Sequence, residues 1–313
     1  MSEPLISICI PAYKKPDYVV RLLKSVMQQT YKRVEVVISD DSPDDTVKIA
    51  IEAYKSELSI FYIKNSPSLK SPANWNNAIK YAKGEYFILF HQDDWLYDSN
   101  ALNKYLEAFR KNPKAGFVFC KNTAVTEDGK EFILQEIPDL LPRLTQSPLH
   151  LVLAQVIGPP SNTMLRTEVR RRVQYDEDFI WLVDVDYYVR VLQAGIEYVY
   201  LDEHLVNIGL HEDQTTVFCK NNSEIILKEN MLFAFKIGEK EFKDIKLYDY
   251  YWRLLRNDNV RTLAQLENAG VMTEKILPIF SHMIHWQIKM PRLILRFGPA
   301  SKILMFLNYI TRS

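Results

Sequence analysis

Glycine is scarce in this chain, nine residues of 313, and the scarcity falls where it excludes most. The first strand-to-helix turn reads IPAYKKPDY, residues 10–18, and has no glycine. A P-loop and a dinucleotide-binding G-x-G-x-x-G both need glycines there, so that backbone can approach phosphate. A P-loop NTPase and a Rossmann dehydrogenase are therefore not expected. Cysteine is scarcer still: Cys9, Cys120 and Cys219, none in C-x-x-C spacing. That leaves no readable zinc site or disulfide framework and suggests a reducing compartment. Cys9, inside an apolar strand pattern, is expected in the core. Neither charge sign is in excess, with 39 basic and 39 acidic residues. A nucleic-acid partner, which wants a basic surface, is not expected. No apolar run approaches the ~20 residues of a membrane span. The opening MSEPLISICI has an acid and a proline but no basic stretch, so it does not read as a signal peptide. A cytoplasmic protein is the expectation.

What the chain does have is apolar periodicity. Hydrophobic residues make up 47%, enough for a sizeable core. LISICIPAY (5–13), VEVVIS (34–39), SIFYIK (59–64), EYFILF (85–90), AGFVFC (115–120) and IEYVYL (196–201) read as strands. Between them, residues 16–29 repeat Val19, Leu22, Leu23 and Val26 at helical spacing, with Pro16 suited to a first turn. Residues 44–55 and 71–84 are further helices, the latter expected to close on Gly84 in a left-handed cap. Ser99 is expected to cap a helix that ends before Asn112-Pro113. VIGPPSNTMLR (156–166) couples a turn to an apolar stretch. Past residue 216 the pattern is helical. Alternating strands and helices predict an α/β fold, a mostly parallel sheet with helices on both faces, followed by a helical C-terminal extension. The division expected is a catalytic domain over 1–216 and a helical region over 217–313.

In such a sheet, ligands bind beyond the carboxyl ends of the strands. Three acidic groups fall there: Asp40-Asp41 after the second strand, Asp93-Asp94 after the fourth, and Asp184 with Asp186 at the start of a helix. Asp and Ser are ordinary turn and cap residues, so one such group says little. Three aimed at one edge suit a hard divalent cation, Mg²⁺ or Mn²⁺, with substrate phosphates completing its shell. Adjacent carboxylates disfavour each other's ionisation unless something positive sits between them.

Three stretches in order carry a resemblance: SICIPAYKKPDYVVRLLKSVMQQTY, VEVVISDDSPDDT and NWNNAIKYAKGEYFILFHQDDW. Together they resemble a family 2 glycosyltransferase of the GT-A fold, over about residues 5 to 215. The resemblance implies an inverting, metal-dependent transfer from a nucleoside-diphosphate sugar, UDP foremost, to a glycan or lipid-linked acceptor in surface polysaccharide synthesis. It implies that Pro11, Ala12, Tyr13, Asp40, Asp41, Asn76 and Asp93 bind the donor. It implies that Asp94 binds the metal with His211, in the segment LHEDQTT, as a further metal or diphosphate contact. His91 and Gln92 fall to supporting positions. Relatives often carry an arginine two residues before the histidine, where this chain has Gly209. The base implied is Asp184, six residues before Arg190, with Asp186 as the alternative. Trp95 and Trp181 could offer a sugar an apolar face, and Gly158–Asn162 an acceptor wall.

A nucleotidyltransferase is a rival on a related fold, but would show a glycine-rich basic loop after the first strand. A phospho-acceptor signalling domain would put its acid pair after the first strand. An inactive sugar-nucleotide binder would be expected to lack Asp184 or Asp94. The tail is distinctive in charge. From Lys275 onward there is no Asp or Glu, while Lys275, Lys289, Arg292, Arg296, Lys302 and Arg312 lie among LILRF and ILMFLNYI. That reads either as a surface for the inner face of an anionic membrane or as a helical pair packed on protein, a second subunit included.

Overall fold

The computed structural model describes residues 3–133 and 141–311. They form two compact units: Met1–Leu151 with Gln155–Glu212, and Val152–Ala154 with Asp213–Ser313.

The first unit holds β1 (Ile6–Ala12), α1 (Pro16–Met27), β2 (Val34–Asp40), α2 (Thr46–Ile51), β3 (Ser59–Lys64), α3 (Ala73–Lys80), β4 (Tyr86–Leu89) and β5 (Trp95–Leu96). It continues with α4 (Ala101–Lys111), β6 (Ala115–Thr126), β7 (Glu131–Phe132), α5 (Leu141–Gln146), β8 (Thr163–Arg166), α6 (Val183–Gln193) and β9 (Glu197–Leu210). One sheet runs β3-β2-β1-β4-β8-β6-β9-β5, with β7 beside β6. The β3, β2, β1 and β4 strands are mutually parallel. Antiparallel β8 joins β4 to β6, and β6 runs parallel to β9.

The alternation of strand residues explains why helices cover both faces. Ile6, Ile8 and Ile10 of β1 point one way, with Val36, Ile38 and Ile88. They bury against Val19, Leu22, Leu23 and Val26 of α1, and Leu102, Tyr105 and Phe109 of α4. Each fully buried aliphatic side chain there contributes about 1.5–3 kcal/mol. The opposite face receives α3, which packs on β1 and β2, and α6, whose Tyr188 stacks on Phe117 of β6 at 6.1 Å. Cys9, Cys120 and Cys219 are buried free thiols; burial pushes the Cys120 thiol up to about 12.

Two local expectations need correction. Gly84 is not a left-handed helix cap, because α3 ends at Lys80. A Cβ at Gly84 would meet the Leu5 carbonyl at 2.6 Å and the Ser7 N–H at 2.8 Å, so close passage against β1 demands the glycine. Ser99 does not cap α4. Its carbonyl accepts the Thr30 N–H at 2.7 Å, and Asn100 occupies the cap position. The strand expected at 196–201 continues to Leu210, through the polar DEH stretch at 202–204. Register shifts opposite Cys120, Lys121 and Asn122 let it stay paired.

The second unit is helical, and among the described residues no strand follows Leu210. It holds α7 (Thr215–Lys220), α8 (Ser223–Ile237), α9 (Ile245–Asn257), α10 (Leu263–Asn268), α11 (Pro278–Ile288), α12 (Arg292–Arg296) and α13 (Gly298–Ile310). Asn222 and Asp244 cap α8 and α9 by accepting the N–H of Ile225 and Lys246. Tyr248, Tyr251 and Trp252 of α9 are fully buried within it. Arg312 lies outside the described residues. No helix of the described residues is long and apolar enough to cross a membrane.

Candidate active site

Parallel pairing brings the carboxyl ends of β1, β2 and β4 to one edge. Pro11 pairs with Ser39 and Ala12 with Asp40. The Ala12 carbonyl accepts the Asp41 N–H at 2.9 Å, and the Cys9 carbonyl that of Phe90 at 2.9 Å. Gln92 grips the next residue at both ends: its Oε1 accepts the Tyr13 N–H at 2.9 Å and its Nε2 donates to the Tyr13 carbonyl at 3.0 Å. Tyr13 itself is exposed. The turn that follows, without glycine, puts Lys14 and Lys15 at φ 55° and 49°. Two successive non-glycine residues in the left-handed region store strain at this edge.

Asp40 and Asp41 are buried and differently employed. Asp40 Oδ1 accepts the Ser42 N–H at 2.8 Å, and Oδ2 the Tyr62 hydroxyl at 2.7 Å with Lys64 Nζ 3.6 Å away. It anchors the turn. Asp41 accepts the N–H groups of Leu69 and Lys70 at 3.0 and 2.7 Å and the Asn65 amide at 2.8 Å, and so shapes the loop over the strand ends. Asn65 also donates to Ser39 and Asn74, and Asn77 donates to Ser39 and Asn65. This amide network is signalled in the sequence only by the NWNN run. Asn76, from the same run, points elsewhere. Its amide exchanges hydrogen bonds with the Tyr175 backbone, at 2.8 and 3.0 Å. It also lines a cavity of about 530 Å³ with Lys80, Arg171 and Tyr187.

The acid pair after β4 is the most closely held part of the site. Asp94 is 2% exposed. Its Oδ2 accepts the Ser161 hydroxyl at 2.5 Å and its Oδ1 the Gly209 N–H at 3.1 Å. Asp93 Oδ2 lies 3.0 Å from His211 Nε2, and the Asp93 carbonyl accepts from Arg21 at 2.6 Å. Burial, and then the Asp93 charge, hold Asp94 well above the usual carboxylate range. Burial pushes Asp93 up too, but the His211 hydrogen bond and the His91 imidazole outweigh it, and Asp93 falls below its ordinary value. Of the pair, Asp93 is therefore the more readily ionised and Asp94 the less.

Ligand atoms of His91, Asp93 and Asp94 lie within 4.8 Å of one another. His91, expected only in support, thus enters the cluster, and His211, expected as a ligand, meets it as a hydrogen-bond partner of Asp93. Burial lowers the His91 pKa and favours the neutral, ligating imidazole. His91 Nε2 and His211 Nδ1 are buried without a hydrogen-bond partner. Carboxylates with imidazole fit Mn²⁺ and, through the carboxylates, Mg²⁺.

Three further expectations change. The Gly158–Asn162 segment is no open wall: Ser161 and Asn162 are fully buried, and Ser161 also accepts the His91 N–H at 3.0 Å. The Trp95 ring is covered by the Arg21 guanidinium, 3.8 Å from its centroid, so that face is not free for a sugar. At Gly209 a Cβ would meet the Asp93 carbonyl at 2.3 Å and Arg21 at 3.0 Å. The space beside the acid pair is thus filled by an arginine from α1. Nothing in the local sequence marked Arg21 or Trp75 for the site, and Ser161, expected in an acceptor wall, instead holds Asp94.

The third acidic group separates cleanly. Asp186 is ion-paired to Arg190 on its own helix, at 2.8 and 2.5 Å. Asp184, in the first turn of α6, is half-buried. Burial pushes it up to about 6, against the Val185 N–H and the Gln155 side chain. A half-buried carboxyl that titrates near neutrality can take a proton. A run of rings links α6 to the acid pair. Tyr187 stacks on Tyr175 at 4.0 Å, Tyr175 meets Trp75 edge-on at 5.2 Å, and Trp75 meets His91 at 4.8 Å.

Residues 7–172 match the model of the family described as Glycosyl transferase family 2. Chondroitin synthase of Escherichia coli is 25% identical over 269 residues, which are 82% of this chain and 37% of the synthase. Among solved structures, S. aureus TarS 1-349 in complex with UDP-GlcNAc superposes with a TM-score of 0.66 at 19% identity, over 97% of this chain and 89% of that one. A mannosyltransferase of Pyrobaculum calidifontis in complex with GDP-Man and Mn²⁺ gives 0.60 at 14% identity, over 99% and 86%. Their likeness is one of fold.

Proposed function

Because the chain belongs to glycosyl transferase family 2, we propose that it moves a sugar from a nucleoside-diphosphate donor to an acceptor hydroxyl by one inverting displacement. UDP is the first nucleotide to test, since a fold neighbour is described with UDP-GlcNAc. A glycan or lipid-linked saccharide is the acceptor class, in polysaccharide assembly; the likeness to a chondroitin synthase supports it.

The observation that carries this reading is the pairing of two unlike acid sites in one unit. Asp93 and Asp94 form a cluster with His91, and Asp184 is a separate half-buried carboxyl with its pKa near 6. Asp93 and Asp94 would hold a divalent cation, with the imidazole of His91 or His211. When bound, that cation supplies Lewis-acid neutralisation of the departing diphosphate. Pro11, Ala12, Tyr13, Asp40 and Asp41 form the nucleoside side of the edge, where Asp41 retains accepting capacity for a base N–H beyond the three donors it already has. The Arg21 charge lies close enough to Asp93 and Asp94 to act on both. Asp184 takes the proton from the attacking hydroxyl while the bond to the leaving oxygen breaks on the opposite face of the sugar.

The test is direct. A panel of UDP-, dTDP- and GDP-sugars, each with Mn²⁺ or Mg²⁺, is screened by thermal shift. The donors that stabilise the protein are then assayed for release of nucleoside diphosphate with saccharide acceptors. Metal-independent release, or a product that keeps the donor's anomeric configuration, would overturn the mechanism.

A further inference from the structure

The last helix, α13, is built inside out. Its buried positions are Ser301, Met305 and Asn308. Two of these are polar and bonded within the unit: Ser301 Oγ accepts from Trp252 Nε1 at 3.1 Å and from Arg256 at 3.0 Å, and Asn308 Oδ1 accepts from the Tyr248 hydroxyl while its Nδ2 is buried without a partner. The outward positions are Ile303, Phe306, Leu307 and Ile310, all exposed, Ile303 by 63%. On α12 and just past it, Leu293 is 85% exposed and Phe297 63%. A water-facing helix shows the reverse pattern, apolar inside and polar outside. Six large apolar side chains turned outward on two successive helices form a patch that a soluble surface rarely leaves uncovered.

We propose that this face docks on an anionic lipid surface. Charge favours lipid. Lys289, Arg292, Arg296 and Lys302 are exposed among the apolar residues, and no Asp or Glu occurs after Glu274. The chain as a whole is neutral, so this cationic patch is local. A basic, apolar helical surface matches anionic headgroups over acyl chains, where apolar burial and electrostatic attraction add. A second copy is the poorer fit. A two-fold interface sets the same patch against itself, which brings these cations together, and the neighbouring acid, Asp249 beside Lys302, is already paired with Arg253 at 3.0 Å.

The experiment uses the full chain and does not depend on the reaction assigned above. Flotation is measured with phosphatidylcholine vesicles and with vesicles that also contain phosphatidylglycerol, at low and high salt. Expected is recovery with the anionic vesicles only, reduced by salt. Arg292→Glu with Arg296→Glu, and separately Ile303→Ser with Phe306→Ser, should each weaken partitioning at least about tenfold. These positions are exposed, so circular dichroism and the melting transition should stay as in the parent. Equal recovery on neutral and anionic vesicles, or none on either, overturns the proposal. So does light scattering that finds a dimer dissolved by Phe306→Ser, because the face is then an interface between copies.

Discussion

Replacing Asp184 by asparagine gives the sharpest test of the mechanism, because it should move activity and stability in opposite directions. The change is nearly isosteric and keeps an oxygen for the Val185 N–H, 2.8 Å away. It removes the proposed base. Loss of a positioned general base costs about 10²–10⁴ in kcat. With a pKa near 6, the carboxylate is about nine-tenths ionised at pH 7 and about one-tenth at pH 5. The parent rate should therefore fall about tenfold over that interval with single-proton slope, and the variant's residual rate should not. The stability sign follows from the same shift. A carboxyl raised from 3.8 to about 6 favours the folded state in its protonated form. That contribution is present below about pH 4 and lost as pH rises through about 6. The shift corresponds to about 3 kcal/mol, reduced to about 1–2 because the residue is only half-buried. Asparagine does not ionise, so at pH 7 the variant should melt higher, by about 2–4 °C for each kcal/mol in a domain of this size. Steady-state rates from pH 5 to 8 and melting curves at pH 4 and 7 check both halves. A variant that keeps its rate within a few-fold at unchanged donor affinity, or that melts lower at pH 7, refutes the assignment.

Other perturbations follow from the geometry. Asp94→Ala should remove the response of activity to added Mn²⁺ altogether. Ser161→Ala takes away the bond that opposes the raised pKa of Asp94, and titration calorimetry should find Mn²⁺ affinity lower by about 10–100-fold. His211→Ala removes the hydrogen bond that holds the Asp93 carboxyl low, so Mn²⁺ binding should need a higher pH than in the parent. His91→Ala, compared at fixed pH, should weaken the affinity itself; equal behaviour of the two variants would mean that neither imidazole reaches the cation. Gly84→Ala forces a Cβ against the Leu5 carbonyl and should cost about 2–4 kcal/mol of stability, read by denaturant unfolding, with the metal affinity of the folded fraction unchanged.

Much of the fold is legible because its strands are short apolar runs at regular intervals. The first four parallel strands and the long α1 and α4 follow from apolar spacing and β-branched content alone. What escaped is what tertiary pairing decides. The β5 strand is two residues long and exists by pairing with Asn207 and Val206 of β9. The continuation of β9 through Asp202, Glu203 and His204 is held by β6, not by its own composition. At the site, the acid groups were visible as residue types at strand ends. Their partners were not, because Ser161 and Gly209 meet Asp94 only through β8 and β9. Gly84 misled because a residue type common in helix caps was here required by a close backbone approach.

The anchoring of Asp94 also sets an order of events during synthesis. Its two hydrogen-bond partners lie 67 and 115 residues further along the chain. A ribosome has emitted the acid pair, and the strand that presents it, long before the groups that orient it exist. By the time β9 emerges, the Ser161 hydroxyl and α6 with Asp184 have already been made, and the Gly209 N–H is the last of the two Asp94 partners to appear. A chain that ends before β9 therefore has the acid pair without the full set of groups that orient Asp94. The last strand of the sheet thus completes the anchoring of an acid that the fourth strand presents.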